Sequence, residues 1–598
     1  MFKSWLTPLV VAALGLSAAS ADQWDAQVDA IMANFTTEDI IGQMSQISIY
    51  GLVDDDLNID EDIVRAYAKL KVGSYLGAPL SSGYTYTNES VKYAWTAEQF
   101  RTAVAKIQEI TMEENGGHPM VFGLDSVHGA GFVADTVIFG QQINGAASFN
   151  PDLVYKMGQV TARDTLAAGI PWVFGPILEV SSNPMWPRTY ETFGEDPYTI
   201  SVMADAVIRG LQSNNATAAC MKHFIAYSKT PSGHDKDPVT ITDFDLLNYF
   251  ARPFKAAVDA GVLSTMENYV SINGVPTIQN TKLMSSLLRS DLGFDGVAVS
   301  DYSEINSQQS FHRVARSTDE AARFSLERSS LDMSMIADDI SFINGTKLLL
   351  ERNPGILGRL TESARRVVKM KVQLGLYDNP MPGEEYLEQI GNADDVAAAL
   401  EMARESIVLV QNNETTLPLA NGTAVFLTGH SADNIAYQCG GWSVTWKGIS
   451  GKSNFPLGKS VKDGLEAIVG SDSVTYFNGL YANGTYSADD LASAKELAAK
   501  SEYTIAVIGE APYAEKTGDI DDLALPAGQI EYVKELAATG TKVIVAVAEI
   551  IYGQVNPSGR LPLTYPKNPA NIAMPYNHRV STLCADSKNC EMQWEFGH

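Results

Sequence analysis

The sequence predicts an α/β protein, a TIM-like (β/α)8 barrel followed by a smaller α/β domain. Three observations carry this. Eight short apolar runs between residues 40 and 340 are separated by amphipathic stretches, which suggests a parallel sheet, and the count suggests a closed barrel. The helical pattern breaks at residues 377–383 (YDNPMPG), a linker by its Pro, Gly and Asn content. Beyond it a second, shorter alternation of strand-like and helix-like runs begins.

Taken in order, the candidate barrel strands are 45–50, 72–76, 119–124, 171–174, 218–224, 262–266, 296–300 and 330–335. Amphipathic segments at 96–113, 153–167, 246–259 and 317–328 supply helices between them, and helical stretches continue to residue 376. In the second region, strand-like runs at 407–411, 424–428, 504–508 and 542–548 alternate with helices near 463–469 and 488–500. The N-terminus reads as a signal peptide: Lys3, an apolar run over 6–16, then Ala19-Ser20-Ala21 before Asp22. The expected domains are a signal peptide at 1–21, the barrel at 22–377, a linker at 378–398, the second domain at 399–566 and a C-terminal extension at 567–598.

The formal net charge of −28 over 598 residues repels phosphate backbones and argues against a nucleic-acid partner. No later segment is long and apolar enough to suggest a membrane span. Seven N-x-[ST] sequons, at Asn34, Asn88, Asn215, Asn344, Asn413, Asn421 and Asn483, fit a secreted, extracellular chain. Four cysteines are too few for a disulfide scaffold. Cys584 and Cys590 are close enough to close a small loop, and Cys220 and Cys439 read as buried thiols. No CxxC, HExxH or Walker pattern supports a metal or nucleotide site.

In such a barrel, chemistry collects where strands end. Asp125 follows the third run, Arg188 lies beyond the fourth, Lys222 and His223 sit in the fifth, Glu267 and Tyr269 follow the sixth, and Asp301 follows the seventh. Carboxylates with cations and imidazole around them suit a polyol ligand. Each residue also has a plain structural reading. Asp301 fits a helix cap, Arg188 an ion pair with Glu191 or Glu195, Lys222-His223 a salt-bridged strand end, Glu515 a solvated charge, and Trp442 with Trp446 one face of a core helix.

These residues lie in long motifs whose order resembles the glycoside hydrolase family 3 β-glucosidases. The motifs are RTYETFGED at 188–196, KHFIAYS at 222–228, MENYVSINGVP at 266–276, LRSDLGFDGVAVSDYSEI at 288–305, GGW at 440–442 with Trp446, and NPSGRLP at 556–562. The resemblance implies a barrel followed by an α/β sandwich, with the active site between them. By motif, Asp301 is implied as nucleophile and Glu515, rather than Glu510, as acid/base. Asp125, Arg188, Lys222, His223 and Tyr269 match positions holding the first sugar. Trp446 matches an aromatic flanking the next sugar, and Tyr302 follows the nucleophile where many plant relatives carry Trp. The implied reaction is a retaining double displacement needing no cofactor or metal, with the carboxyls about 5–5.5 Å apart. The implied substrate is a β-glucoside or β-glucan oligosaccharide. A β-xylosidase on the same scaffold and a catalytically impaired carbohydrate-binding protein remain alternatives, and oligomeric state is not legible. Nearby Lys222, His223 or Arg188 is expected to depress the pKa of Asp301. Residues 547–553 (VAEIIYG) directly join segments that family members separate by several tens of residues. The sandwich is therefore expected to be incomplete and less stable than the barrel, and the C-terminal extension shorter than in relatives.

Overall fold

The computed structural model describes residues 23–53, 58–79, 93–545, 548–567 and 592–598. The expected signal peptide, the Asn88 sequon and the Cys584 and Cys590 pair lie outside the described residues.

Seven parallel strands form the first sheet: β1 (Gln46–Ser48), β2 (Ser74–Leu76), β3 (Val121–Leu124), β4 (Trp172–Val173), β5 (Ala218–Phe224), β6 (Ser264–Glu267) and β7 (Val297–Val299), hydrogen-bonded in chain order. The eighth position is filled by a bridging segment and not by a full strand. Met333 pairs with Val299 and Ser334 with Ser45, and the Gln46 and Ser48 N–H groups donate to the Ser334 and Ala337 carbonyls at 3.0 and 2.9 Å. Serine hydroxyls here take backbone donors that a ladder would otherwise use: Ser300 Oγ accepts from Met335 N–H at 2.8 Å and Ser334 Oγ from Ile336 N–H at 3.1 Å. The ring is thereby closed, as a TIM-like α/β barrel requires.

Helices pack around this sheet, and their starts follow from sequence. α1 (Ala97–Glu114) opens on a Thr96–Gln99 capping box, α2 (Pro151–Ala167) on Asn150 with Pro at its first position, and α3 (Pro197–Leu211) on Asp196 in the same way. α4 (Ala251–Asp259), α5 (Thr318–Arg328) and α6 (Leu357–Gln373) continue the outer layer. Residues from six strands and the bridging segment, including Leu76, Val121, Trp172, Cys220, Met266, Val297 and Met333, form one apolar cluster. Gly123 is required there because a Cβ would lie 2.2 Å from the Phe174 ring.

After α7 (Ala393–Ser406), a second sheet holds four parallel strands: β8 (Val425–Thr428), β9 (Val474–Tyr476), β10 (Tyr503–Ala506) and β11 (Lys542–Ile544), in the spatial order β9-β8-β10-β11. Val425 and Leu427 pack with α8 (Val461–Val469), whereas Phe426 packs with α9 (Ala488–Ala499) and α10 (Ala527–Ala537). That two-faced burial is what a doubly covered parallel sheet demands. The expected strand at 407–411 does not form: the segment carries no regular structure, and Leu409 and Val410 are exposed. Among the described residues it pairs with no strand, and the Ile407 carbonyl accepts instead from the Gly559 N–H at 3.1 Å. Strand β9 and helix α10 escaped the sequence reading.

Candidate active site

Asp301 sits just beyond β7, at the end where the neighbouring site residues also emerge. Its Oδ1 accepts from the Tyr302 N–H at 2.7 Å, and its own N–H donates to Glu267 Oε1 at 3.1 Å. Oδ2 has no hydrogen-bond partner among the described residues and faces His223 Nε2 at 3.7 Å. The helix that follows begins after Ser303 without a side-chain cap, so the carboxylate is not spent on capping. Burial, then the neighbouring Glu515 carboxylate, pushes Asp301 up to about 7. Arg188, the Tyr302 N–H and Lys236 pull only partly the other way. The expected depression is therefore reversed: the cations are present, but desolvation wins.

The basic groups have their own partners. Lys222 Nζ lies 2.7 Å from Asp125 Oδ1, so its charge is committed to a carboxylate other than Asp301. His223 Nδ1 is 2.7 Å from Glu179 Oε1, which also accepts the His223 backbone N–H at 2.8 Å. Burial first, then Arg188, Lys222 and Lys236, holds this imidazole well below its usual pKa, so it is neutral at pH 7. Arg188 is fully buried. Its Nε and Nη2 grip Glu191 at 2.9 and 2.8 Å, the ion pair anticipated as its plain reading, while Nη1 extends to within 3.6 Å of Glu515 Oε1. The Trp442 ring lies 5.7 Å from the Arg188 guanidinium and 5.5 Å from Lys222 Nζ.

Glu515 comes from the other lobe, on the loop after β10, with a left-handed φ of +52°. Its side chain is only 13% exposed, and Oε2 lies 3.7 Å from Lys236 Nζ. Glu510 instead accepts from the Tyr513 hydroxyl at an exposed position. Tyr269 is buried beneath Lys236, whose Nζ is 3.5 Å from the ring centroid, and its phenol neighbours both Asp301 and Glu515. The lobes are tied by Gln141 Nε2 donating to the Cys439 and Gly441 carbonyls at 2.9 Å, and by the Tyr190 hydroxyl donating to the Tyr513 carbonyl at 2.6 Å.

Asp301, Glu515, Arg188, Lys222, His223, Asp125 and Tyr269 thus belong to one linked network. Two predicted side chains have other partners: the Tyr302 hydroxyl donates to Asp338 at 2.7 Å, and the Trp446 ring lies 5.3 Å from Lys447 Nζ. Trp442 and Trp446 share no helix. Trp442 has φ +58° and its N–H donates to the Trp446 carbonyl at 3.0 Å. Sequence reasoning missed Glu179, Lys236 and the site role of Trp442. Trp442 could have been found from the Gly440-Gly441 pair before it, since Gly441 has no room for a side chain beside Tyr513 and Tyr190. Among the described residues, no group of three or more His, Cys, Asp or Glu side chains is arranged to hold a metal ion.

Two carboxylates from separate lobes thus stand near each other among fixed cations, a neutral imidazole and aromatic rings, the kinds of group that glycoside cleavage uses. The sequence profile of the Glycosyl hydrolase family 3 N terminal domain matches residues 36–370, and that of the Glycosyl hydrolase family 3 C-terminal domain matches residues 407–548. The lysosomal beta glucosidase of Dictyostelium discoideum is 36% identical, over 93% of this chain and 74% of the relative. A beta-xylosidase of Formosa agariphila is 29% identical, over 79% of this chain and 73% of its own length. The fold is also that of the beta-glucosidase from Listeria innocua in complex with glucose: TM-score 0.82, 24% identity, 96% of this chain and 82% of that one. The chain belongs to glycosyl hydrolase family 3, and it is a glycoside hydrolase.

Proposed function

We propose that this chain is a secreted, retaining β-glucosidase that removes terminal non-reducing β-D-glucosyl residues from β-glucosides, cello-oligosaccharides or β-glucans. The observation that carries the reading is the meeting of Glu515, from the second lobe, with Arg188 and the surroundings of Asp301 in the barrel. Glucose as the first sugar is supported by the Dictyostelium relative's name and by the glucose and laminaribiose complexes of the Listeria enzyme. Secretion is supported by the charged, then apolar, N-terminus and the sequons.

In this mechanism the Asp301 carboxylate attacks the anomeric carbon through Oδ2. As that C–O bond forms, the glycosidic C–O bond breaks, and Glu515 gives its proton to the leaving oxygen. Glu515 then takes a proton from water, whose oxygen attacks the same carbon and releases Asp301. The Asp125–Lys222 pair and neutral His223 offer acceptors and donors to sugar hydroxyls. Arg188 and Lys236 face Glu515, which becomes anionic as it gives up its proton to the leaving oxygen.

The test compares wild type with Asp301→Ala and Glu515→Ala on an aryl β-glucoside. Both variants lose activity by at least about a thousandfold, and azide restores turnover to Glu515→Ala with release of the β-glucosyl azide, whereas any azide product of Asp301→Ala is the α-anomer. A wild type with no turnover, or a fully active Asp301→Ala, would end the proposal. The Formosa relative favours a β-xylosidase as second reading. A kcat/KM on aryl β-xyloside exceeding that on the glucoside would select it.

A further inference from the structure

Lys236 enters the reading above only as a cation facing Glu515, yet it stands at the meeting point of the two lobes. Its Nζ lies 3.7 Å from Glu515 Oε2 and 3.5 Å from the centroid of the Tyr269 ring, and its side chain is only 25% exposed. The backbone adopts φ +68°, a conformation that a lysine keeps only when its surroundings impose it. Those surroundings are visible. The preceding residue, Asp235, is held to the barrel by the Tyr227 hydroxyl at 2.5 Å, and its N–H donates to Asp519 Oδ1 at 2.7 Å. Asp237 accepts from the Ser232 hydroxyl at 2.5 Å, and His234 Nε2 lies 3.2 Å from Asp521 Oδ1. Asp519 and Asp521 sit on the same second-lobe loop as Glu515. The loop bearing Lys236 is therefore fastened to the loop bearing Glu515 by its backbone as well as by its charge.

We infer that Lys236 is a positioning residue for Glu515: its ammonium, set over Tyr269, holds the carboxylate where it meets the leaving oxygen. This rests on the reading of Glu515 as acid/base. A lysine pairing with a carboxylate in open water contributes little. A half-sheltered ammonium seated on an aromatic face keeps one direction and one distance. It complements Arg188, which approaches the other oxygen, Oε1. The titratable groups facing Glu515 are Arg188 and Tyr190 from beyond β4, Tyr227, Asp235 and Lys236 from beyond β5, Tyr269 from beyond β6 and Asp301 from beyond β7. Only Arg188 and Lys236 among them are cations. Removing Lys236 leaves Glu515 with one fixed oxygen. It also removes a cation that pulls Asp301 down.

The experiment measures kcat/KM of the full chain and of Lys236→Met and Lys236→Arg, each at its own optimum, on phenyl and on 2,4-dinitrophenyl β-glucoside. A good leaving group needs no proton. Lys236→Met is expected to lose about thirtyfold or more on the phenyl glucoside but under about threefold on the dinitrophenyl one. The acid limb of its pH profile moves to higher pH, because a cation that pulls Asp301 down is gone. Lys236→Arg recovers most of the loss, because charge and reach remain. Equal losses on both substrates with an unmoved acid limb would mean a merely structural lysine and overturn the inference, as would wild-type kinetics in Lys236→Met. Glu515→Ala with azide is run beside them. Failure of azide rescue would bring down the acid/base reading and this inference together. Rescue with an unaltered leaving-group dependence in Lys236→Met would bring down this inference alone.

Discussion

Arg188 Nη1 stands 3.6 Å from Glu515 Oε1 while the rest of the guanidinium is locked on Glu191. One side chain, fully buried, thus fixes a barrel carboxylate and reaches a carboxylate of the other lobe. Only a planar, forked cation can do both. Arg188→Lys keeps the charge but serves one partner at a time. We expect its kcat/KM on aryl β-glucoside to fall by about a hundredfold or more, roughly the 2–3 kcal/mol of a charge-assisted contact. Steady-state kinetics check this, and activity within about threefold of wild type would contradict it.

Asp301 is held near 7 against an ordinary 3.8, chiefly by burial. Its folded state binds a proton that the unfolded state has released, so the contribution to stability is present at low pH and lost as pH rises through about 7. Asp301→Asn removes the buried charge and keeps the shape. Its Tm should exceed that of wild type near about pH 8, with the advantage shrinking toward about pH 4. Calorimetry at the two pH values checks it. An Asn variant less stable than wild type at the higher pH would contradict it. In the same way, the acid limb of kcat/KM should lie well above 3.8.

Legibility followed local density of signal. The fifth strand was read with its full extent because residues 218–224 are buried without a break. The motif residues Asp301, Arg188, Lys222 and His223 follow apolar runs and stood out. Strand β9 did not, since Val474–Tyr476 buries only one of its three residues and is preceded by Ser471-Asp472-Ser473. Lys236 carries no periodic signal, and its meaning depends on Glu515, remote in sequence. The charge state of Asp301 was misread because the neighbouring cations are written in the chain, whereas the depth of burial is a property of the closed mouth.

Gly441 is wedged between Tyr513 of its own lobe and Tyr190 of the barrel. A Cβ there would lie 2.1 Å from the Tyr513 carbonyl and 2.5 Å from the Tyr190 hydroxyl, the pair that bond each other at 2.6 Å. Tyr513 precedes Glu515 by two residues, so the loop carrying Glu515 must shift. Gly441→Ala should cost about 1–3 kcal/mol and cut kcat/KM by about tenfold. Gly358→Ala is the control: it lies exposed in α6 with nothing within 4 Å of its Cβ. It should leave activity unchanged and add up to about 1 kcal/mol. Thermal shift with kinetics on both variants checks the pair.

The two sheets close differently, and this sets how the protein should melt. The barrel returns on itself through Met333 and Ser334, leaving no open edge. Among the described residues the second sheet has four short strands with β9 and β11 at its edges, and Val545 just beyond β11 is 60% exposed. An edge strand with few neighbours opens at lower free energy than a closed ring. Heating should therefore give two transitions, the lower one belonging to the second lobe. Activity should vanish with the lower transition, because Glu515 leaves Arg188 and Lys236 when that lobe opens, even while the barrel and Asp301 remain folded. Circular dichroism recorded beside residual activity at each temperature checks this. A single transition in which activity and all structure disappear together would show that the interface couples the lobes more tightly than the second sheet's open edges weaken it.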